Sequence, residues 1–134
     1  MTLVDAKVWI DYFYGLTTPA TQQLDQMLGE ELLYIDDLSL AYVLKHLGPA
    51  GHMLSDWLLH AIPIISIGGT QMAIRASQYM RQLSERGLRS SSCDEAHILD
   101  GFVAAYCIEH GHTLLFTDQA FWPYVQHFGL KTPN

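Results

Sequence analysis

Residues 99–121 read LDGFVAAYCIEHGHTLLFTDQAF, and their hydrophobic spacing changes period partway along. Leu99, Phe102, Val103 and Tyr106 fall on one helical stripe, so a helix is expected from about Glu95 to His110. Gly111 stops it, and Ser92 with Glu95 fits a capping box at its start. Thr113–Phe116 then forms a short apolar run of strand character, and two residues on stands a carboxylate, Asp118. The chain opens in the same way. Thr2–Val4 reads as a strand, Asp5 follows it, and Ala6–Phe13 carries Trp9, Ile10 and Phe13 at helical spacing up to Gly15. Two apolar strands at opposite ends of a sequence, each followed by an Asp, can be neighbours in one parallel sheet with helices on both faces.

The intervening residues extend the alternation. Thr18-Pro19 supplies a capping hydroxyl and a proline for a helix with Leu24, Met27 and Leu28 on its apolar face. Leu32–Ile35 is a second strand, after which Asp36 or Asp37 caps a helix carrying Leu38, Tyr42 and Leu44 and closed by Gly48. A helix around His52–Ala61 is expected to bury Leu54, Trp57, Leu58 and Ala61. Pro63 precedes a strand at Ile64–Ile67, and Gly68–Thr70 turns the chain into a helix with Ala73, Ala76, Met80 and Leu83. A short helix near Trp122–His127 and an extended piece at Leu130-Lys131 finish the chain. No repeat, low-complexity tract or linker interrupts it. Residues 1–134 are therefore expected to form a single α/β domain with a short central parallel sheet.

Composition narrows the classes. With 49% hydrophobic and 16% charged residues among 134, the chain supports a core and is not disordered. No apolar run approaches the ~18 residues of a membrane helix, and the N-terminus lacks the basic region of a signal peptide. Cys93 and Cys107 match no metal-binding spacing, so a cytoplasmic protein with two free thiols is expected. The formal net charge of −7 argues against a sequence-independent DNA binder. It leaves room for a nuclease whose carboxylates gather the cations that meet a phosphate.

In sheets of this kind the site lies beyond the carboxyl ends of the strands, where Asp5, Asp36/Asp37 and Asp118 all fall. Asp100, beside the stripe residue Leu99, adds a carboxylate that can project toward the same edge. Carboxylates brought together repel unless one takes a proton or a cation stands between them. Mg2+ prefers such oxygens and keeps several waters. Local roles are open too: Asp5 and Asp118 can cap the helices they precede, and Asp100 can be solvated on a helix flank. His110 and His112 suit a helix C-terminus, and Trp9, Trp57 and Trp122 suit a core.

The segments LVDAKVWIDYF (3–13), LYIDDLSLAYVLKHLG (33–48) and 99–121 together resemble the PIN-domain nucleases, in particular the VapC-type toxins of bacterial toxin–antitoxin pairs. The similarity runs over nearly the whole chain. It implies a PIN-like fold, Mg2+- or Mn2+-dependent RNA cleavage leaving a 3′-hydroxyl and a 5′-phosphate, a homodimer, and inhibition by a cognate VapB-type antitoxin. It also implies that Asp5, Asp100 and Asp118, which match the first, third and fourth family acids, are the catalytic and metal-holding residues.

The chain departs from the family pattern at three places. Tyr42 stands where the second family acid, a Glu, is usual, and a phenol is a poor Mg2+ ligand at neutral pH. Ala6 and Lys7 stand where small hydroxyl residues are common, and Ala120 where a further acid often stands. An ammonium on Lys7 either takes the place of a metal ion near Asp5 or Asp118, or reaches out to water. Two expectations follow: a metal-dependent ribonuclease, and a PIN-like module disabled at Tyr42 and Lys7 that serves dimerisation or antitoxin binding. A response-regulator-like domain, which also gathers acids at strand ends, needs a late lysine, and Lys131 is the one available.

Overall fold

The computed structural model describes residues 1–30, 32–88 and 95–133. Its sheet, among these residues, has four parallel strands: β1 (Thr2–Val4), β2 (Leu33–Asp36), β3 (Ile64–Ile65) and β4 (Thr113–Leu115). Their order is β3-β2-β1-β4, so the two strands from opposite ends of the chain are neighbours. The register explains why both are apolar after their first threonine. Leu3 lies opposite Leu114 and Val4 opposite Leu115. Leu3 and Leu114 enter the core on one face, while Val4 and Leu115, with Leu33 and Ile35 of β2, enter the core on the other.

Helices α1 (Ala6–Phe13), α2 (Pro19–Met27), α3 (Asp37–Leu47) and α4 (His52–Ala61) supply Trp9, Leu24, Val43 and Leu58 to the core that contains Val4. Helices α5 (Thr70–Glu85), α6 (Glu95–His110) and α7 (Trp122–Phe128) supply Leu83, Val103 and Tyr124 to the core that contains Leu3. The result is an α/β sandwich of PIN-like fold.

Caps set the helix starts. Thr18 Oγ1 accepts from Thr21 N (3.1 Å) and Thr21 Oγ1 accepts from Thr18 N (2.8 Å), a reciprocal capping box. Asp36, not Asp37, caps α3: its Oδ2 accepts from Ser39 N at 2.8 Å. Asp37 Oδ1 instead accepts from Ile67 N at 3.0 Å, so β3 stops at Ile65 rather than running to Ile67. The Asp36 cap accompanies a rotation of α3 that differs from expectation. Ser39 and Val43 are innermost, Tyr42 is half-buried and Leu44 is exposed. In α4, Leu58 is buried as expected but Trp57 and Ala61 are exposed.

Helix α6 is buried well beyond its predicted stripe, with Asp100, Ala104, Ala105 and Cys107 all inside. Small residues permit this: a Cβ on Gly101 would come within 2.5 Å of Met80 Sδ on α5. The extended piece near the C-terminus joins β4 through a parallel bridge of Lys131 with Thr113, and Lys131 O accepts from Leu114 N at 2.9 Å. Ser92 and Cys93 lie outside the described residues, as does the side chain of Leu54. Cys107 is a free, buried thiol. No helix among the described residues is long and apolar enough to cross a membrane.

Candidate functional site

A strand that hands directly to a helix places its last residue at the carboxyl edge of the sheet and at the helix N-cap together. Asp5 is such a residue. Its N–H donates to Leu115 O at 2.9 Å, continuing the β1–β4 ladder, and its Oδ2 accepts from Lys7 N at 3.3 Å. Asp118 repeats the arrangement beyond β4, where its Oδ1 accepts from Ala120 N at 2.9 Å and caps a short 3-10 turn, Gln119–Phe121. Asp100 comes from α6 and is only 8% exposed, so it does not stand solvated on a helix flank. All three carboxylates line one cavity of about 350 Å³. In Asp5 and Asp118 one carboxylate both caps a helical turn and lines the cavity.

Further residues of the wall are Lys7 and Asp11 from α1, Tyr14 at its C-cap, and Tyr42 and His46 from α3. Sequence reasoning reached Lys7 and Tyr42 but missed Asp11, Tyr14 and His46. The signal was present: positions 7, 11 and 14 share one helical face, as do 42 and 46. The Tyr42 and His46 rings stack with centroids 4.7 Å apart. Tyr14's hydroxyl donates to His46 O at 3.2 Å, tying the end of α1 to α3. Lys7's side chain is exposed and, among the described residues, forms no ion pair with Asp5 or Asp118. It reaches toward solvent at the cavity lip rather than standing in for a cation.

Burial pushes the Asp5 carboxyl up to about 8, the Asp100 carboxylate adds to the rise, and the Lys7 N–H bond opposes it. Asp36 is also raised, chiefly by burial. Its Oδ1 is buried without a hydrogen-bond partner among the described residues. Burial, then Asp36 and Asp5, push the Cys107 thiol up, which leaves it inert.

Among the described residues, no three His, Cys, Asp or Glu side chains are grouped so as to hold one ion directly. A hydrated Mg2+ needs only one or two carboxylates, with water in its other positions. Asp5 and Asp100, close enough for one to raise the proton affinity of the other, fit that requirement, with Asp118 on the same cavity wall.

Other candidates have structural places. The rings of Tyr106 and His110 stack at 4.2 Å, and His110 Nδ1 lies 3.0 Å from Tyr106 O, so this histidine closes α6. Trp9 is wholly buried, whereas Trp57 and Trp122 are each about two-fifths exposed and do not belong to the core interior.

No protein-family profile and no curated protein matches the chain. Solved structures do. The structure of FitAcB from Neisseria gonorrhoeae matches with a TM-score of 0.71 and 17% identity over 100% of this chain and 97% of that one. VapBC2 from Rickettsia felis, bound to a DNA fragment from its promoter, matches with a TM-score of 0.70 and 14% identity, covering 99% and 97%. FitAB bound to the IR36 DNA fragment matches at 0.67 and 18%, covering 98% and 93%. At these identities the likeness shows the fold: an α/β architecture shared, nearly end to end, with chains of FitAB and VapBC complexes.

Proposed function

We propose that this chain is the toxin of a type II toxin–antitoxin pair, a Mg2+- or Mn2+-dependent endoribonuclease with Asp5, Asp100 and Asp118 as its catalytic and metal-holding residues. One observation carries the reading: three carboxylates far apart in sequence line a single cavity at the carboxyl edge of a parallel sheet. The resemblance to VapC-type toxins and the fold shared with VapBC2 and FitAB support it.

When bound, the ion supplies Lewis acidity toward the phosphodiester and toward an attacking water. The chain supplies the rest. Asp5 and Asp100 concentrate negative charge where the cation is wanted, and the Asp5 carboxyl gives up its proton to receive it. Asp118 keeps Oδ2 for a water molecule, since Oδ1 is taken by Ala120 N. Lys7 at the lip meets the RNA backbone. The partners are RNA, a VapB-type antitoxin that presents Arg or Lys to the acids, and a second copy in a homodimer, all in the cytoplasm.

The test is hydrolysis of a labelled RNA with Mn2+ and with EDTA, comparing the native chain with Asp5→Asn. Cleavage that needs Mn2+ and falls at least ~100-fold in the variant is expected. Equal activity in both chains refutes the proposal.

A second reading is favoured by Tyr42 on the cavity wall, where an acid was expected. On it the chain is a catalytically impaired module for dimerisation or antitoxin binding. Calorimetry separates the two: micromolar Mn2+ binding contradicts impairment, whereas hydrolysis gained only on Tyr42→Glu supports it.

A further inference from the structure

We infer that Tyr42 and His46 are specificity-determining residues that seat an unpaired nucleobase of single-stranded RNA beside the acidic cavity; the inference rests on the ribonuclease reading above. Tyr42 is a shared wall. It lines the cavity of the three carboxylates and also an adjoining cleft of about 510 Å³, whose surface includes Leu38, Ala41, Lys45 and Phe102. The sequence position that lacks the expected acid therefore carries a planar ring at the junction of a charged pocket and an apolar one.

That ring is held ready. Tyr42 stacks on His46 at 4.7 Å with 23° between the planes, Tyr42 is half-buried, and His46 is exposed. The Tyr14 hydroxyl bond to His46 O fixes the backbone beneath the pair to α1. A stacked, anchored pair of aromatic rings offers a surface for a third planar group at little entropic cost.

Charge selects the occupant. The chain carries a net −7 and seven Lys and Arg residues in all. Two of the seven, Lys7 and Lys45, line these two cavities, Lys7 beside Asp5, Asp11, Asp100 and Asp118. Cationic side chains around an aromatic ledge are the pattern that tracks a phosphate backbone while bases stack. A strand whose phosphate enters the carboxylate cavity brings a neighbouring base to Tyr42 and His46. Bases in a duplex are already stacked and paired, so the platform accepts single strands, loops or ends.

The test uses an Asp5→Asn background, which prevents cleavage on the ribonuclease reading, and a 10-nucleotide RNA with one 2-aminopurine. Stacking is expected to quench the 2-aminopurine on binding. Tyr42→Leu and His46→Ala should each weaken binding about five- to 150-fold, the range for losing one base–aromatic stack, and Tyr42→Leu should abolish the quench. Tyr42→Phe should retain both, and the melting temperatures of the variants report whether each is folded. The same RNA annealed to its complement should bind without quenching. Equal affinity of the Tyr42→Leu and parent chains for the single strand overturns the inference, as does equal affinity of the parent for strand and duplex. If Tyr42→Leu weakens only an Arg-bearing peptide and leaves RNA binding unchanged, the face serves a protein partner and the inference is likewise overturned. The underlying reading is tested separately with Asp5 intact. Tyr42-dependent binding without cleavage removes the nuclease and keeps the platform; cleavage with a KM indifferent to Tyr42→Leu does the reverse.

Discussion

Replacing Asp5 by Asn should make the metal-free chain less sensitive to alkaline pH. Asp5 is 4% exposed and its carboxyl is pushed up from 3.8 to about 8, first by burial and then by Asp100. The folded chain thus holds a proton at Asp5 that the unfolded chain releases near pH 4. Stability from this group is fully present below about pH 4, declines as pH rises, and is lost once pH passes about 8. At ~1.4 kcal/mol per pH unit, the interval sets a ceiling of roughly 6 kcal/mol. Relaxation of the pocket and entry of water reduce it, and a loss of at least ~2 kcal/mol between pH 5 and pH 9 is expected. For a domain of this size that is a fall in Tm of roughly 6 °C or more. Asn keeps the shape and removes the titration, so Asp5→Asn should lose much less over the same range. The assay is thermal unfolding followed by circular dichroism after EDTA treatment, with both chains at each pH, so that general acidic repulsion cancels in the comparison. Mn2+ added to the native chain at pH 9 should recover the lost Tm. Superimposable pH profiles for the two chains would refute the claim that burial and the nearby Asp100 raise the Asp5 carboxyl.

Leu114→Ala removes a fully buried side chain from the core on the β4 face and should destabilise the fold by about 2–5 kcal/mol in urea unfolding. Thr18→Ala breaks the capping box of α2 and should lose about 1 kcal/mol by the same measurement. In a Cys93→Ser background, Cys107 should react with a thiol reagent only on unfolding, because the thiol is buried and its thiolate disfavoured; prompt labelling of the folded chain contradicts that placement.

The architecture was legible because its signals are local. The change of period after Gly111 marked α6 and β4, and Thr18-Pro19 marked α2. The apolar runs in Thr2–Val4 and Thr113–Phe116, alternating with helices, predicted a sheet covered on two faces, which the Leu3–Leu114 and Val4–Leu115 register provides. Features set by tertiary partners were less legible. Nothing near Ile67 in sequence announces that Asp37, thirty residues earlier, takes its N–H and ends β3. Trp57 and Leu58 were both expected inside, yet Leu58 turns inward and Trp57 does not.

Asp5 and Asp118 were visible as strand-end carboxylates, and each caps the turn that follows it while also lining the cavity, because a strand-to-helix turn puts a cap at the sheet edge. Asp100 was visible only at the margin of a stripe, because the small residues that let α6 sink between its neighbours widen the buried face. Asp11, Tyr14 and His46 were overlooked because each carries an ordinary surface or flank reading until α1 and α3 are placed side by side.

The central claim is that the cavity bounded by Asp5, Asp100 and Asp118 is a divalent-cation site. The measurement closest to it is anomalous diffraction from crystals soaked in Mn2+. One peak is expected within that cavity, in contact with Asp5 and Asp100, and it should be lost in Asp100→Asn crystals. A Mn2+ peak elsewhere with the cavity empty, or a peak that persists in Asp100→Asn, would contradict it.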